Sequence, residues 1–91
     1  MKSGARRLED LVSIGPAMMQ DLNSLGIHSV RELALQNPHR MYRDLCTLNG
    51  PQDTCCLDVF TAAVAQAKNP DLPVEQRQWW YWSRRRKASQ S

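Results

Sequence analysis

Apolar residues recur along this chain at the three- and four-residue spacing of amphipathic helices, and strand-like alternation is nearly absent. Met18, Leu22 and Leu25 illustrate the pattern, because a helix places these three side chains on one face. Breaker and capping residues divide the chain into about five helical segments. The pattern predicts an all-α fold, a small bundle of about five helices with an aromatic C-terminal segment. The five segments begin near Leu8, Pro16, Val30, Pro38 and Thr54.

Local signals at the helix ends set the expected boundaries. Pro16 stands where a first helical turn tolerates the missing amide, and Gly26 is placed to end the same helix in the left-handed conformation. Ser29 and Glu32 have the spacing of a capping box, in which the hydroxyl accepts from the Glu32 N–H and the carboxylate reaches back. Asn37-Pro38 repeats the signal of a cap followed by proline, so another helix is predicted to begin there.

The apolar stripes predict a single core, with Phe60 as the only phenylalanine and all three tryptophans between residues 79 and 82. A small core needs bulk, so at least two of the tryptophans are expected to close it. Alternatively, a second copy of the chain buries them, which would make the protein a homodimer. The other expected core residues are Leu8, Leu11, Val12, Met18, Leu22, Leu25, Val30, Leu33, Ala34, Met41, Leu45, Leu48, Leu57, Val64 and Ala67.

Charge is distributed unevenly along the 91 residues. The net charge is +3, yet residues 8–74 carry eight acidic side chains against four basic ones, and both ends are basic. We therefore expect a basic N-terminal extension over residues 1–7, one domain over residues 8–82, and a basic, partly disordered tail over residues 83–91. Nucleic-acid affinity depends on positive charge near phosphates, so the two ends suit such a partner better than the body does.

Cys46, Cys55 and Cys56 are an odd number of cysteines, and the adjacent pair is poorly placed for a disulfide. No apolar stretch near the N-terminus resembles a signal peptide, and no apolar run approaches the roughly 20 residues of a membrane span. Free thiols and a cytoplasmic location without a membrane partner are therefore predicted.

Patterns typical of enzymes and metal sites are missing from the sequence. The cysteines and the two histidines lack the paired spacing of zinc ligands, and no nucleophile stands beside a base and an orienting group. We predict no metal, cofactor, small-molecule substrate or catalysis. A thiol redox role is the alternative, because Cys55 and Cys56 would lie in the first turn of a helix, where the dipole lowers the pKa of a thiol. Free cysteines are more commonly buried as small apolar residues, so burial is the favoured prediction for this pair. Asp58 is expected to pair with a basic residue or to hold the aromatic tail.

Residues 11–35 resemble a helix-hairpin-helix motif, which belongs to the SAM-like folds. The resemblance rests on Ile14-Gly15-Pro16 at the hairpin, on Leu25-Gly26-Ile27 at the end of the following helix, and on the capped helix after it. In proteins of this kind that bind DNA, the hairpin presents backbone N–H groups to a phosphate, a contact that carries no sequence information. The resemblance therefore implies candidate nucleic-acid-binding residues at Ser13, Ile14, Gly15, Pro16, Ala17 and Met18.

A wider resemblance covers nearly the whole chain. The Leu8-Glu9-Asp10-Leu11 start, Asp58-Val59-Phe60, and the segment Trp79–Trp82 followed by Arg85-Arg86-Lys87 resemble the bacterial pathogenicity-locus family, whose members are often labelled mitomycin resistance proteins. The helix-hairpin-helix part of that family is similar to the C-terminal domain of competence regulators. The resemblance implies an all-α fold and a link to drug resistance.

The hairpin departs from the DNA-binding pattern in its charges. Ser13 replaces the first hairpin glycine, Ala17 and Met18 stand where a basic or hydroxyl residue is common, and Asp21 lies one turn further on. Each change weakens the attraction for phosphate, which favours the hairpin as a structural corner over a phosphate clamp. An exposed methionine of the Met18-Met19 pair would suit a protein interface instead.

The C-terminal segment is the second candidate nucleic-acid site, because its aromatic residues precede four cations. Aromatic rings stack on bases, and cations neutralise phosphates. The alternative is that the rings close the core while the cations stay in water. The four cations are Arg84, Arg85, Arg86 and Lys87.

Two hypotheses of function follow from these patterns. The first is a small non-catalytic module that binds DNA weakly and without sequence preference, in connection with DNA repair or drug resistance. The second is a protein-interaction or adaptor domain, including a homodimer, in which the hairpin is only structural. An enzyme is the least favoured class.

Overall fold

The computed structural model of the protein describes residues 7–12 and 14–89. Over these residues the chain forms five α-helices and two 3₁₀ turns, Leu8–Asp10 and Val74–Arg77, and it has no strand. The all-α prediction is confirmed. Residues 1–6 of the predicted N-terminal extension, Ser13 and residues 90–91 lie outside the described residues. The helices are α1 (Pro16–Ser24), α2 (Val30–Ala34), α3 (Pro38–Asn49), α4 (Cys55–Lys68) and α5 (Trp79–Ser89).

The predicted helix ends are confirmed by hydrogen bonds. The Glu32 N–H donates to Ser29 Oγ at 3.1 Å, and the Glu32 carboxylate accepts from the backbone N–H of His28 at 2.9 Å, one residue earlier than a capping box requires. The Asn37 side chain accepts from the two amides that follow Pro38. Gly26 has a φ of 78°, so the glycine supplies the left-handed conformation that ends α1.

The number of helices agrees with the prediction, but two segments differ. The segment near Leu8 forms only a three-residue 3₁₀ turn, and the backbone is extended at Leu11, so the turn does not continue into an α-helix. The aromatic segment is instead a full helix, α5, which continues through Arg86 to Ser89. The domain boundary predicted at Trp82 falls inside this helix, and the next residue, Ser83, is buried.

The core is centred on α4, which packs against α2, α3 and α5. The largest apolar side chains that are fully buried are Phe60, Leu22, Leu33 and Leu45. Because α4 carries several alanines on its buried faces, its neighbours can approach closely without aromatic bulk. The core cluster of the described residues is Leu8, Leu11, Ile14, Met18, Leu22, Ile27, Leu33, Met41, Leu45, Phe60, Ala63, Val64 and Ala67.

The prediction that at least two tryptophans close this core is wrong. Trp79 and Trp80 are 39% and 40% exposed, and Trp82 is half-buried. Leu48, expected in the stripe of α3, is 58% exposed as well. The core is filled by side chains from the other helices, so Trp79 and Trp80 remain at the surface.

Gln66 on α4 is a buried polar side chain that joins three parts of the chain. Its Oε1 accepts from the Val12 N–H at 2.8 Å, and its Nε2 donates to the Val12 carbonyl at 2.9 Å and to the Arg77 carbonyl at 3.3 Å. The side chain is 3% exposed. Because these bonds replace the secondary-structure pairing that Val12 lacks, Gln66 fixes the segment before α1 and the turn before α5 to the same helix.

Among the described residues, no helix combines the length and the apolar character that a membrane span requires.

Candidate nucleic-acid interface

The hairpin before α1 is divided between the core and the solvent. Ile14 and Met18, both candidate binding residues, are 8% exposed and belong to the core, and Met19 is half-buried. Ser13 lies outside the described residues. The hairpin therefore anchors α1, as a structural corner would.

The exposed part of the hairpin consists of Gly15, Pro16 and Ala17. The first intrahelical bond of α1 runs from the Met19 N–H to the Gly15 carbonyl. The backbone N–H groups before Met19 therefore lie at the N-terminus of the helix without an intrahelical acceptor. The first turn of α1, which is fully described, has neither an acidic nor a basic side chain. The helix dipole is thus the only electrostatic attraction that this turn offers an anion.

The exposed face of α5 carries aromatic and guanidinium groups in register. The Arg84 guanidinium lies 5.3 Å from the ring centre of Trp80, and the Arg85 guanidinium lies 5.7 Å from that of Tyr81. Arg85 Nη1 also donates to the Tyr81 hydroxyl at 3.3 Å. Each pair is four residues apart, the spacing that brings side chains together on a helix. The four residues form what we call the α5 ladder, in which each cation is held against a ring.

Arg86 lies on the other side of α5 and contacts α4. Its Nε and Nη2 donate to the two carboxylate oxygens of Asp58 at 2.9 and 3.0 Å. The Asp58 side chain is 2% exposed and that of Arg86 is 21% exposed. Hydrogen bonding to Asp58 raises the pKa of Arg86, so the guanidinium stays charged. The prediction that Asp58 pairs with a basic residue is confirmed, whereas Arg86, a candidate nucleic-acid residue, is engaged in holding α5 on α4.

Three further basic groups lie at the start of α3. His39, Arg40 and Arg43 are exposed, and they line one shallow depression together with Asn37. His39 also lines a cleft beside Arg85 and Arg86, so the start of α3 adjoins α5. Sequence analysis missed this group because its arginines belong to the acidic stretch 8–74. The spacing of Arg40 and Arg43 on one helix face was the only signal in the sequence.

The cleft between α3, α4 and α5 has a volume of about 360 Å³. One part of its lining is apolar, from Leu57 and Trp82, and the rest is polar or charged. The Trp82 Nε1–H donates to the Gln76 carbonyl at 2.7 Å, which fixes the orientation of the indole. The complete lining is His39, Leu57, Asp58, Thr61, Trp82, Arg85, Arg86 and Ser89.

The thiols lie at the start of α4 and on the facing side of α3. Cys55 is exposed, which contradicts the expected burial, and Cys56 and Cys46 are half-buried. Burial raises the pKa of the Cys56 thiol, and the carboxylates of Asp21 and Asp53 raise it further. Both effects oppose the lowering of the pKa that a helix N-terminus would produce at Cys56. Among the described residues, no group of three or more histidine, cysteine or acidic side chains is placed to hold a metal.

Alkylation of Cys56 is expected to require a higher pH in the folded chain than in the unfolded one. Only the thiolate reacts, and the folded state binds the thiol proton more tightly. For the same reason, the free energy of unfolding is expected to fall as the pH rises above the pKa of Cys56 in the unfolded chain. The rate of iodoacetamide labelling in a Cys46→Ser, Cys55→Ser variant, measured between about pH 7 and pH 10 with and without urea, gives both midpoints. A folded midpoint at or below the unfolded one would contradict this expectation.

Comparison with known proteins agrees with the resemblance noted in the sequence. The model of a family described as "Pathogenicity locus" matches residues 1–88. The chain belongs to this family. It is also similar to a mitomycin resistance protein of Streptomyces lavendulae, with 31% identity over 81 residues, which cover 88% of this chain and 73% of the relative. No solved structure matches the chain. Family membership thus spans both the hairpin and the α5 ladder.

Proposed function

We propose that this protein is a non-catalytic module that binds nucleic acid through the α5 ladder and the start of α3. The observation that carries the proposal is the pairing of Arg84 with Trp80 and of Arg85 with Tyr81 on an exposed helix face. Such a face offers rings to bases and fixed guanidinium groups to phosphates, in the combination that single-strand-binding proteins use. Arg40 and Arg43 extend the positive surface.

The hairpin has a mainly structural part in this proposal. We infer that residues 11–35 form a short variant of the helix-hairpin-helix unit. The buried corner at Ile14 joins α1 to the segment of Leu8 and Leu11, which packs into the core although it forms only a 3₁₀ turn. The start of α1 lacks cations and contributes at most a backbone contact to a phosphate. Binding is therefore expected to depend on α5 much more than on residues 14–18.

The relation to a mitomycin resistance protein suggests a link to drug resistance for this chain. We propose that nucleic-acid binding is the activity behind that link. Binding through rings and phosphate contacts is independent of sequence, which suits a protein that acts wherever nucleic acid is damaged or exposed.

Replacement of both ladder arginines by glutamine is expected to weaken DNA binding about tenfold or more and to reduce its salt dependence. Glutamine keeps the length and polarity of the side chain but removes the charge. Fluorescence anisotropy with labelled single-stranded and duplex DNA, at about 50 and about 200 mM salt, measures both effects. The matched control is Arg31→Gln with Lys68→Gln, which removes two exposed charges from α2 and the end of α4.

Equal weakening by the control pair would mean that overall charge, and not the α5 ladder, determines binding. No binding by the wild type at the lower salt would contradict the proposal. That result would favour the second candidate, a protein-interaction domain. This candidate is supported by the exposure of three large apolar side chains, Val74, Trp79 and Trp80, which are 66%, 39% and 40% exposed.

A further inference from the structure

The cleft between α3, α4 and α5 combines the features of a small-ligand site. It is a preformed concavity of about 360 Å³, bordered by one fixed aromatic ring, one aliphatic side chain and several polar groups. Pockets for small ligands run from about 300 to 1,000 Å³, so this cleft suits a ligand at the small end of that range. The α5 ladder and the cleft share Arg85, which connects the two surfaces.

We propose that this cleft holds a single nucleotide of a nucleic-acid strand, with the base beside Trp82 and the phosphate beside Arg85 and His39. The inference rests on the proposed function and names the form of nucleic acid that the surface takes. A base enters such a cleft only when it is unstacked, so single strands are preferred over duplex.

The charges of the lining favour an anion. Among the described residues of the lining, Asp58 is the only acidic one, and its carboxylate is paired with Arg86 through two hydrogen bonds. Arg85 then remains as a cation whose contact is with a ring and a phenol, not with a carboxylate. His39 lies across the cleft from α5 and supplies a second group that can donate to a phosphate.

The apolar part of the lining favours a flat heterocycle. The Trp82 indole is held by its bond to the Gln76 carbonyl and by an edge-to-face contact with Tyr81, with ring centres 5.1 Å apart. A ring fixed in this way loses little conformational freedom when a base packs against it. Leu57 contributes an apolar surface from α4, and Thr61 lies one turn beyond it.

The test compares single-stranded DNA, duplex DNA and thymidine 5′-monophosphate in direct titrations. Thr61→Phe fills the cleft from α4 and replaces no residue of the α5 ladder. The wild type is expected to prefer single strands by about tenfold or more, the usual gain from stacking one base, and Thr61→Phe is expected to remove that preference while leaving duplex binding unchanged.

A second pair of variants keeps the proposal testable if Thr61→Phe does not fold. His39→Gln is expected to weaken single-strand binding severalfold, whereas His28→Gln, an exposed histidine in the link before α2, is the matched control. Circular dichroism of each variant confirms that the helices are retained.

Each result separates this proposal from the function on which it rests. Equal binding of single strands and duplex, unchanged by Thr61→Phe and by His39→Gln, overturns the nucleotide cleft and leaves the α5 ladder as the binding surface. Binding of the free mononucleotide without any preference for single strands also overturns it, because the cleft would then take a metabolite and not a strand. Absence of all nucleic-acid binding removes the proposed function itself.

Discussion

Arg86→Met is expected to lower the melting temperature by about 10 °C or more, and to do so more than Asp58→Asn does. The two substitutions break the same ion pair, but they leave different groups behind. Without Arg86, the Asp58 carboxylate, whose side chain is 2% exposed, stays buried on α4 with no counter-ion. Without the carboxylate, the Arg86 side chain, which is 21% exposed, can extend into water.

A double variant separates the loss of the pair from the cost of the orphaned charge. Asp58→Leu combined with Arg86→Met replaces the ion pair by two apolar side chains, a change that is often neutral or stabilising. The double variant is expected to melt at a higher temperature than Arg86→Met alone, because the buried charge is gone. Thermal unfolding followed by circular dichroism measures all variants. If Arg86→Met melted like the wild type, Asp58 would not depend on this partner.

The same variants are relevant to function, because Arg86 orients α5. Its two bonds to Asp58 define which side of α5 faces α4, and hence which side presents Arg84 and Arg85. A variant that keeps its helices but lets α5 rotate or detach is expected to lose DNA affinity together with stability. Arg86 is therefore a positioning residue for the α5 ladder.

Gln66→Leu is expected to destabilise the protein by about 2–4 kcal/mol, since it leaves three half-buried backbone groups without their partner. Leucine has a similar size, so packing changes little. The Val12 N–H and carbonyl lose both of their bonds to Gln66, and the Arg77 carbonyl loses one. Chemical denaturation measures the loss in the free energy of unfolding. Gln20→Leu on the exposed face of α1 is the matched control, with an expected change within about 0.5 kcal/mol.

Gln66→Glu separates the two halves of the interaction. A carboxylate still accepts from the Val12 N–H, but it cannot donate to the carbonyls of Val12 and Arg77 when ionised. Amide hydrogen exchange at Val12 is expected to accelerate in Gln66→Leu and to stay slower in Gln66→Glu. Slow exchange at Val12 in both variants would show that another group protects this segment.

Local signals in the sequence predicted the helix ends well. Ser29, Asn37 and Gly26 act through their own backbone neighbourhood, over no more than four residues, so tertiary contacts are not needed to recognise them. The apolar stripe of α4 was also predicted from the sequence, because Leu57, Phe60 and Val64 recur at helical spacing. The all-α class, the order of the central helices and most of the core follow from such short-range patterns.

The candidate site was predicted only in part. The basic C-terminal segment was identified from its charges. The sequence did not predict which of its cations face solvent and which one pairs with α4, because that depends on how α5 packs against α4. Arg86 meets Asp58 across 28 residues of chain, while Arg84 and Arg85 meet rings four residues away. The adjoining arginines of α3 were not predicted at all, since their neighbours in sequence are acidic.

The sequence by itself determined where helices begin and end and which stripes are apolar, because these depend on propensities and spacings within a few residues. The tertiary structure decided which apolar groups are buried. Trp79 and Trp80 stay at the surface because α4, with its alanines and Phe60, already fills the space between the helices. The tertiary structure also forms the cleft at Trp82 and the surface that joins α3 to α5, since both require residues from distant parts of the chain to meet.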